Sequence, residues 1–301
     1  MDRITRRIAF FLGAAIFASP WAVGAQEGAF ASDGRGGLPS SGFERRVILA
    51  REPGRAGAYA IPKMVVTRAG TALIVLQDRR GGDWGKPITP MVMRSSDRGQ
   101  TWSRPARIGA PLDEEGRYHV KPTGIVEDAR AGRVFVFLSR SPIRNKAGQT
   151  VNERWFYTHL QRTWDCGRAW FLLSSDDEGV SWSAPVEITD QLRQRPHWQH
   201  EDLRDVKCHA GLTAARDPQG RYVLLFSNVP GPGGRRGLTI RASADDGRTW
   251  GKAKVVEPGN AAYSDLAVTK DGTILCVYES GQGSRNDISL ARLTWDWLYR
   301  H

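Results

Sequence analysis

Ser95-Ser96-Asp97-Arg98-Gly99-Gln100-Thr101-Trp102 returns twice along the chain. The second copy is Ser175-Asp176-Asp177-Glu178-Gly179-Val180-Ser181-Trp182, and the third is Ser243-Ala244-Asp245-Asp246-Gly247-Arg248-Thr249-Trp250. All fit Ser-x-Asp-x-Gly-x-Thr/Ser-Trp, and such repetition is the first thing to settle in any fold assignment. The pattern describes a tight hairpin. The Asp carboxylate accepts from backbone N–H groups of its own turn, Gly supplies a positive φ, and the Trp buries its ring on a neighbouring sheet.

Strand-like runs flank each copy. Met91-Val92-Met93-Arg94, Trp170-Phe171-Leu172-Leu173 and Leu238-Thr239-Ile240-Arg241 precede the boxes; Ala106-Arg107-Ile108, Val186-Glu187-Ile188 and Lys254-Val255-Val256 follow them. Further apolar runs begin at Ala72, Val134, Tyr222 and Thr273, each after a glycine-containing turn. Strand, turn, strand, box, strand is the plan of one propeller blade, so the chain is expected to be all-β. The 33 glycines and 11 tryptophans suit many short strands joined by turns. The boxes sit at uneven intervals, so some blades lack one. At about 50 residues per four-stranded blade, the mature chain holds five to six. The boxes mark architecture; function has to be read from other residues.

The first 25 residues stand apart. Arg3, Arg6 and Arg7 precede the apolar run Ile8 to Val23, and Val23-Gly24-Ala25 offers a small-residue cleavage site. That is the layout of a secretory leader, with a single membrane anchor as the alternative. The expected organisation is a signal peptide over 1–25, a flexible segment over 26–42 and one propeller domain over 43–301. The protein is then secreted or periplasmic, with no stable membrane insertion after cleavage. Arg6-Arg7 hints at twin-arginine export, although the residues after it fit that motif poorly. Formal net charge is +11. The positive residues are scattered, which suits a basic soluble surface better than a nucleic-acid site, and a monomer is expected. Cys166, Cys208 and Cys276 form no disulfide framework or zinc spacing and are expected to be buried free thiols. His197, His200 and His209 match no common ligand motif, so neither metal nor cofactor is expected. No Gly-x-Ser-x-Gly elbow or phosphate-cradling loop competes.

The order of motifs in the C-terminal third resembles bacterial exo-α-sialidases: Leu225-Phe226-Ser227-Asn228, Arg235, Leu238-Thr239-Ile240-Arg241, the third box, Ala262-Tyr263-Ser264-Asp265-Leu266 and Val277-Tyr278-Glu279. Tyr59-Ala60-Ile61-Pro62, Asp78-Arg79-Arg80 and Gly82-Asp83-Trp84-Gly85 resemble the same family nearer the start. The likeness implies a sialidase-like β-propeller, six-bladed in the family, acting on sialylated glycans with retention of configuration. A carboxylate on the anomeric carbon repels an Asp or Glu nucleophile, and a tyrosine hydroxyl avoids that repulsion. By this resemblance Tyr263 is the nucleophile, Asp83 the acid/base, and Glu279 the acid that buttresses a clamp arginine. Arg235 matches a clamp arginine that binds the substrate carboxylate by charge-assisted hydrogen bonds, with Arg236 and Arg79 as further substrate contacts.

Two departures bear on this. The family's Tyr-Arg-Ile-Pro signature has Ala60 here in place of the first clamp arginine, which implies that Glu279 loses its customary partner. Family members also carry another blade between the second and third boxes, with the Glu that activates the tyrosine and a second clamp arginine. Here Trp198-Gln199-His200 passes to Lys207-Cys208-His209-Ala210-Gly211 directly. Glu201, Arg204 and Asp205 occupy the join. Three readings follow: a sialidase, a degenerate glycan-binding member without catalysis, and a propeller glycosidase for a sugar lacking the carboxylate.

Overall fold

A computed structural model describes residues 38–53, 58–79, 87–110, 112, 118–143, 169–187, 208–230, 234–247, 249–251, 253–281 and 287–300. Strands are the dominant element of the described chain, with one short helix. One sheet is β2 (Tyr59–Val66), β3 (Ala72–Asp78), β4 (Thr89–Ser95) and β5 (Ala106–Arg107), antiparallel throughout. A second repeats that order with β6 (Tyr118–Asp128), β7 (Arg133–Pro142), β8 (Ala169–Ser175) and β9 (Val186–Glu187). The rest is a seven-stranded sheet ordered β1-β15-β14-β13-β12-β11-β10. Its strands are β1 (Phe43–Leu49), β10 (Gly211–Arg216), β11 (Tyr222–Asn228), β12 (Arg236–Ser243), β13 (Lys254–Val268), β14 (Ile274–Ser280) and β15 (Asp287–Leu293).

The long β13 belongs to two four-stranded units at once. Its first half pairs with β12 as the outer strand of β10–β13, and Ala261 to Val268 pair with β14 as the inner strand of the next unit. β1 completes that unit by pairing antiparallel with β15, Phe43 opposite Leu293. A short helix, α1 (Trp295–Tyr299), is capped by Thr294, whose hydroxyl accepts from Trp297 N–H.

Three apolar layers hold the sheets together, and the middle strands feed two layers each because neighbouring side chains point to opposite faces. Ile74 and Leu76 of β3 enter the layer shared with Leu275 and Val277 of β14, whereas Val75 enters the layer shared with Val120 and Val136. Ile274, Cys276 and Tyr278 face Leu225, Leu238 and Ile240 on the other side of β14. Strands buried on both faces need apolar residues at every position, which is why these runs read so clearly in the sequence.

The boxes fold as their pattern predicts. Each spans a hairpin: β4 to β5, β8 to β9, β12 to β13. In the first, Asp97 Oδ1 accepts from Thr101 N–H at 2.8 Å and from Ser95 Oγ at 2.8 Å, while Ser95 Oγ accepts from Gly99 N–H at 2.9 Å. The other two repeat these bonds through Asp177 and Asp245. The residue before each glycine also has positive φ: 63° at Arg98, 59° at Glu178 and 59° at Asp246. Two consecutive positive φ values define a type I′ turn, whose twist matches that of the strands it joins. Trp102 is buried; Trp182 and Trp250 are half-buried, the latter tilted on Phe226 at 5.6 Å.

Burial raises the Asp97 carboxyl, but the bonds from Thr101, Ser95 and Gln100 outweigh it and hold its pKa below the ordinary value. A lowered folded pKa contributes stability above the unfolded value, near pH 4, and that contribution is lost as pH falls through the folded pKa. Asp97→Ala should cost about 2 kcal/mol at pH 7, read as a lower melting temperature. The gap from wild type should close as both are acidified toward pH 2. A gap that stays constant would mean the carboxylate charge is not what matters.

Cys276 is fully buried and its thiol is pushed up to about 12 by burial, in line with an inert thiol. Cys208 is also free but only half-buried, a correction to the expected burial; Cys166 lies outside the described residues. No helix among the described residues is long and apolar enough to cross a membrane.

Candidate functional site

Two inner strands, β2 and β13, carry the same irregularity. The pairing of β2 with β3 slips between Ala60 and Lys63, and that of β13 with β14 slips between Ala262 and Asp265. Each slip holds a non-glycine residue at positive φ: Ile61 at 52° and Tyr263 at 49°. Such backbone is uncommon for any side chain and a strong outlier for a β-branched one. Bulges of this kind re-aim a side chain that regular pleating would send elsewhere. They concentrate at functional sites, where surrounding bonds must support them.

The supports are carboxylates. Glu279, on β14 beside Ala262, is buried and its Oε1 accepts from Ile61 N–H at 2.6 Å. Asp265 Oδ2 accepts from Met64 N–H at 2.9 Å, and Oδ1 accepts from Leu266 N–H at 3.0 Å. Burial pushes the Asp265 carboxyl above its ordinary value, against the pull of Lys63 and these two N–H groups. Both acids therefore tie the last unit to β2. The expectation that Ala60 deprives Glu279 of its partner is corrected: the carboxylate is engaged by the backbone one residue further on.

Tyr263 is half-buried at the bulge. Its phenolic oxygen accepts from Arg235 Nη2 at 2.8 Å, and the guanidinium carbon lies 4.7 Å from the ring centroid. Arg235 is exposed just before β12, and its carbonyl accepts from Ala261 N–H at 2.9 Å, which fixes it beside the tyrosine's strand. His209 meets the same ring edge-on, centroids 5.7 Å apart and planes at 89°. Sequence reasoning set His209 aside as a poor metal ligand. No repeated motif marks it, and its place beside Tyr263 depends on how β10 meets β13.

Of the residues singled out in the sequence, Tyr263 and Arg235 are brought together. Arg236 is exposed at the start of β12 and makes no described contact with Tyr263. Arg79 is half-buried, and its Nε donates to Gln77 Oε1 at 2.8 Å. Gln77 pairs directly with Ala60 across β2 and β3, so Arg79 and Ala60 share one face of that sheet end. Asp83, Glu201, Arg204, Asp205, His197 and His200 lie outside the described residues. Among the described residues no cluster of His, Cys, Asp or Glu is arranged to hold a metal ion.

A protein-family model described as a BNR repeat-like domain matches residues 150–276. A sialidase of Micromonospora viridifaciens is 49% identical over 222 residues, covering 64% of this chain and 34% of that protein. A sialidase of Bacteroides fragilis (strain YCH46) is 27% identical over 268 residues, covering 85% of this chain and 46% of that protein. The chain thus spans less than half the length of either curated relative. Among solved structures, the Hadza microbial sialidase Hz136 superposes with a TM-score of 0.68 at 20% identity, covering 84% of this chain and 68% of that one. Trypanosoma rangeli sialidase gives 0.61 at 12% identity, covering 83% and 59%. These two structural likenesses bear on the fold alone.

Proposed function

We propose that this chain, which belongs to the bacterial sialidase family, is an exported glycoside hydrolase that removes terminal sialic acid from glycoconjugates with retention of configuration. The observation that carries the reading is the 2.8 Å bond from Arg235 to the Tyr263 hydroxyl, at a bulge that turns the phenol toward it. A guanidinium held there serves two purposes. It attracts an anionic sugar carboxylate, and it stabilises the negative charge that grows on the phenolic oxygen as the proton leaves.

In this reading Tyr263 attacks the anomeric carbon, and Asp83, on the connection between β3 and β4, protonates the departing oxygen. The glycosyl–tyrosine intermediate is then opened by water, with Asp83 acting as base. Arg79 adds a second cation on the sheet face that Ala60 shares. Glu279 holds Ile61, and hence the bulge between Ala60 and Lys63, in place. Release of methylumbelliferone from its sialoside tests the proposal. Turnover of the sialoside with none on the matching neutral galactoside supports it; no sialoside turnover between pH 4 and 8 overturns it.

Ala60 favours a second reading, a glycosidase for a sugar without the carboxylate. Ala60→Arg separates the two. An added Arg–carboxylate contact contributes about 1.5–3 kcal/mol. For a sialoside, KM should therefore fall roughly 10- to 100-fold. A KM that rises or stays level while neutral glycosides are cleaved would favour the second reading.

A further inference from the structure

A phenol is a weak nucleophile until it loses its proton, and its ordinary pKa near 10 means a base must take that proton at neutral pH. The side chains described against Tyr263 are Arg235 and His209. Arg235 is permanently charged and cannot accept a proton. Among the described residues, Glu279 is engaged with Ile61 N–H and Asp265 with Met64 and Leu266 N–H. We propose that His209 is the general base that takes the Tyr263 proton in this chain. The proposal rests on the sialidase reading above and assigns the proton acceptor that reading leaves unnamed.

The fold holds His209 there by a close backbone approach. Gly211, the first residue of β10, lies so near β13 that a Cβ added to it would stand 2.7 Å from Asp265 Cα. Only glycine allows that contact, and it presses the start of β10 against the Tyr263–Asp265 bulge. His209, two residues upstream, meets the Tyr263 ring at 5.7 Å between centroids. Among the described contacts, the imidazole meets the phenol ring of β13, and the Arg235 guanidinium lies on that same ring.

The step balances as follows. The phenolic O–H bond breaks and its proton passes to the imidazole. The phenolate pair forms a C–O bond to the anomeric carbon as the glycosidic C–O bond breaks, and the aglycone oxygen takes its proton from Asp83. In the second half, water attacks the anomeric carbon and gives its proton to Asp83. The bond between the anomeric carbon and the phenolic oxygen breaks, and Tyr263 recovers its proton from the imidazolium.

The test is kcat on methylumbelliferyl sialoside from pH 4 to 9 for the full chain, His209→Ala and His209→Gln, each with and without millimolar imidazole. Loss of a general base predicts about a 100-fold lower kcat in both variants. The limb of the pH profile that reports the base should vanish, and imidazole should restore His209→Ala at least about tenfold. Variants within about threefold of wild type overturn the proposal alone, since a base contributes far more. So does a loss that imidazole does not rescue and that leaves the pH profile unchanged, which assigns His209 a packing role. Absence of wild-type turnover overturns the sialidase reading, and the proposal falls with it.

Discussion

Tyr263→Phe is expected to lower kcat on an activated sialoside by at least about 10³-fold, equivalent to roughly 4 kcal/mol of transition-state stabilisation. The substitution removes one oxygen and leaves the ring, so the contacts of Arg235 and His209 with its face and edge persist. The bulge has its own backbone supports. The melting temperature should therefore move little, because the single bond lost is the partly exposed one from Arg235 to the hydroxyl. A fluorinated sialosyl fluoride should label wild type on the peptide holding Tyr263 and leave the variant unmodified. Retention of more than a tenth of wild-type kcat would show that the phenol is not the nucleophile, whatever else it does.

Glu279→Ala should produce the largest loss of stability among single changes near the site, about 3–4 kcal/mol. Two effects combine. The Ile61 N–H is left buried without its charged acceptor, costing about 1–3 kcal/mol. The strained backbone at Ile61, φ 52°, also loses the bond that holds it, and such conformations cost on the order of 1–3 kcal/mol. For a chain of this size the melting temperature should drop by roughly 6–15 °C. Glu279→Gln keeps an acceptor oxygen and should lose less than half as much. Equal losses in the two variants would place the effect in packing instead of the bond to Ile61. Because the β2 bulge hangs from this bond, the alanine variant should also lose activity well below its melting point.

The sequence was most legible where one physical demand acts on several adjacent residues. The boxes needed Ser, Asp, Gly and Trp at fixed offsets, and the structure uses each as expected; only the second positive φ, at Arg98 and its counterparts, carried no residue signal. Middle strands such as β3 and β14 stood out because burial on both faces demands apolar residues along most of their length. The inner strands β2, β6 and β10 were not read as strands. In β6, His119-Val120-Lys121-Pro122-Thr123-Gly124 mixes charge, proline and glycine, and of this run Val120 enters the apolar layer with Val75 and Val136. Of the candidate site, Tyr263 and Arg235 were visible through their motif. His209 and the Gln77–Arg79 pair were not, since their roles arise from strand register, which no local pattern encodes. Ile61 offered the least signal of all: isoleucine is among the residues least expected at positive φ.

The pairing of Phe43 with Leu293 has a consequence for how this molecule is made. A sheet whose outermost strand is synthesised first and whose remaining strands are synthesised last stays incomplete until translation is nearly over. Closing so long a loop carries an entropic cost before any contact rewards it, and non-local pairing of this kind folds slowly. The waiting β1 is a strand with unpaired edges, open to association with other chains. A variant in which β1 is grafted after β15 should refold faster and aggregate less, at unchanged final stability.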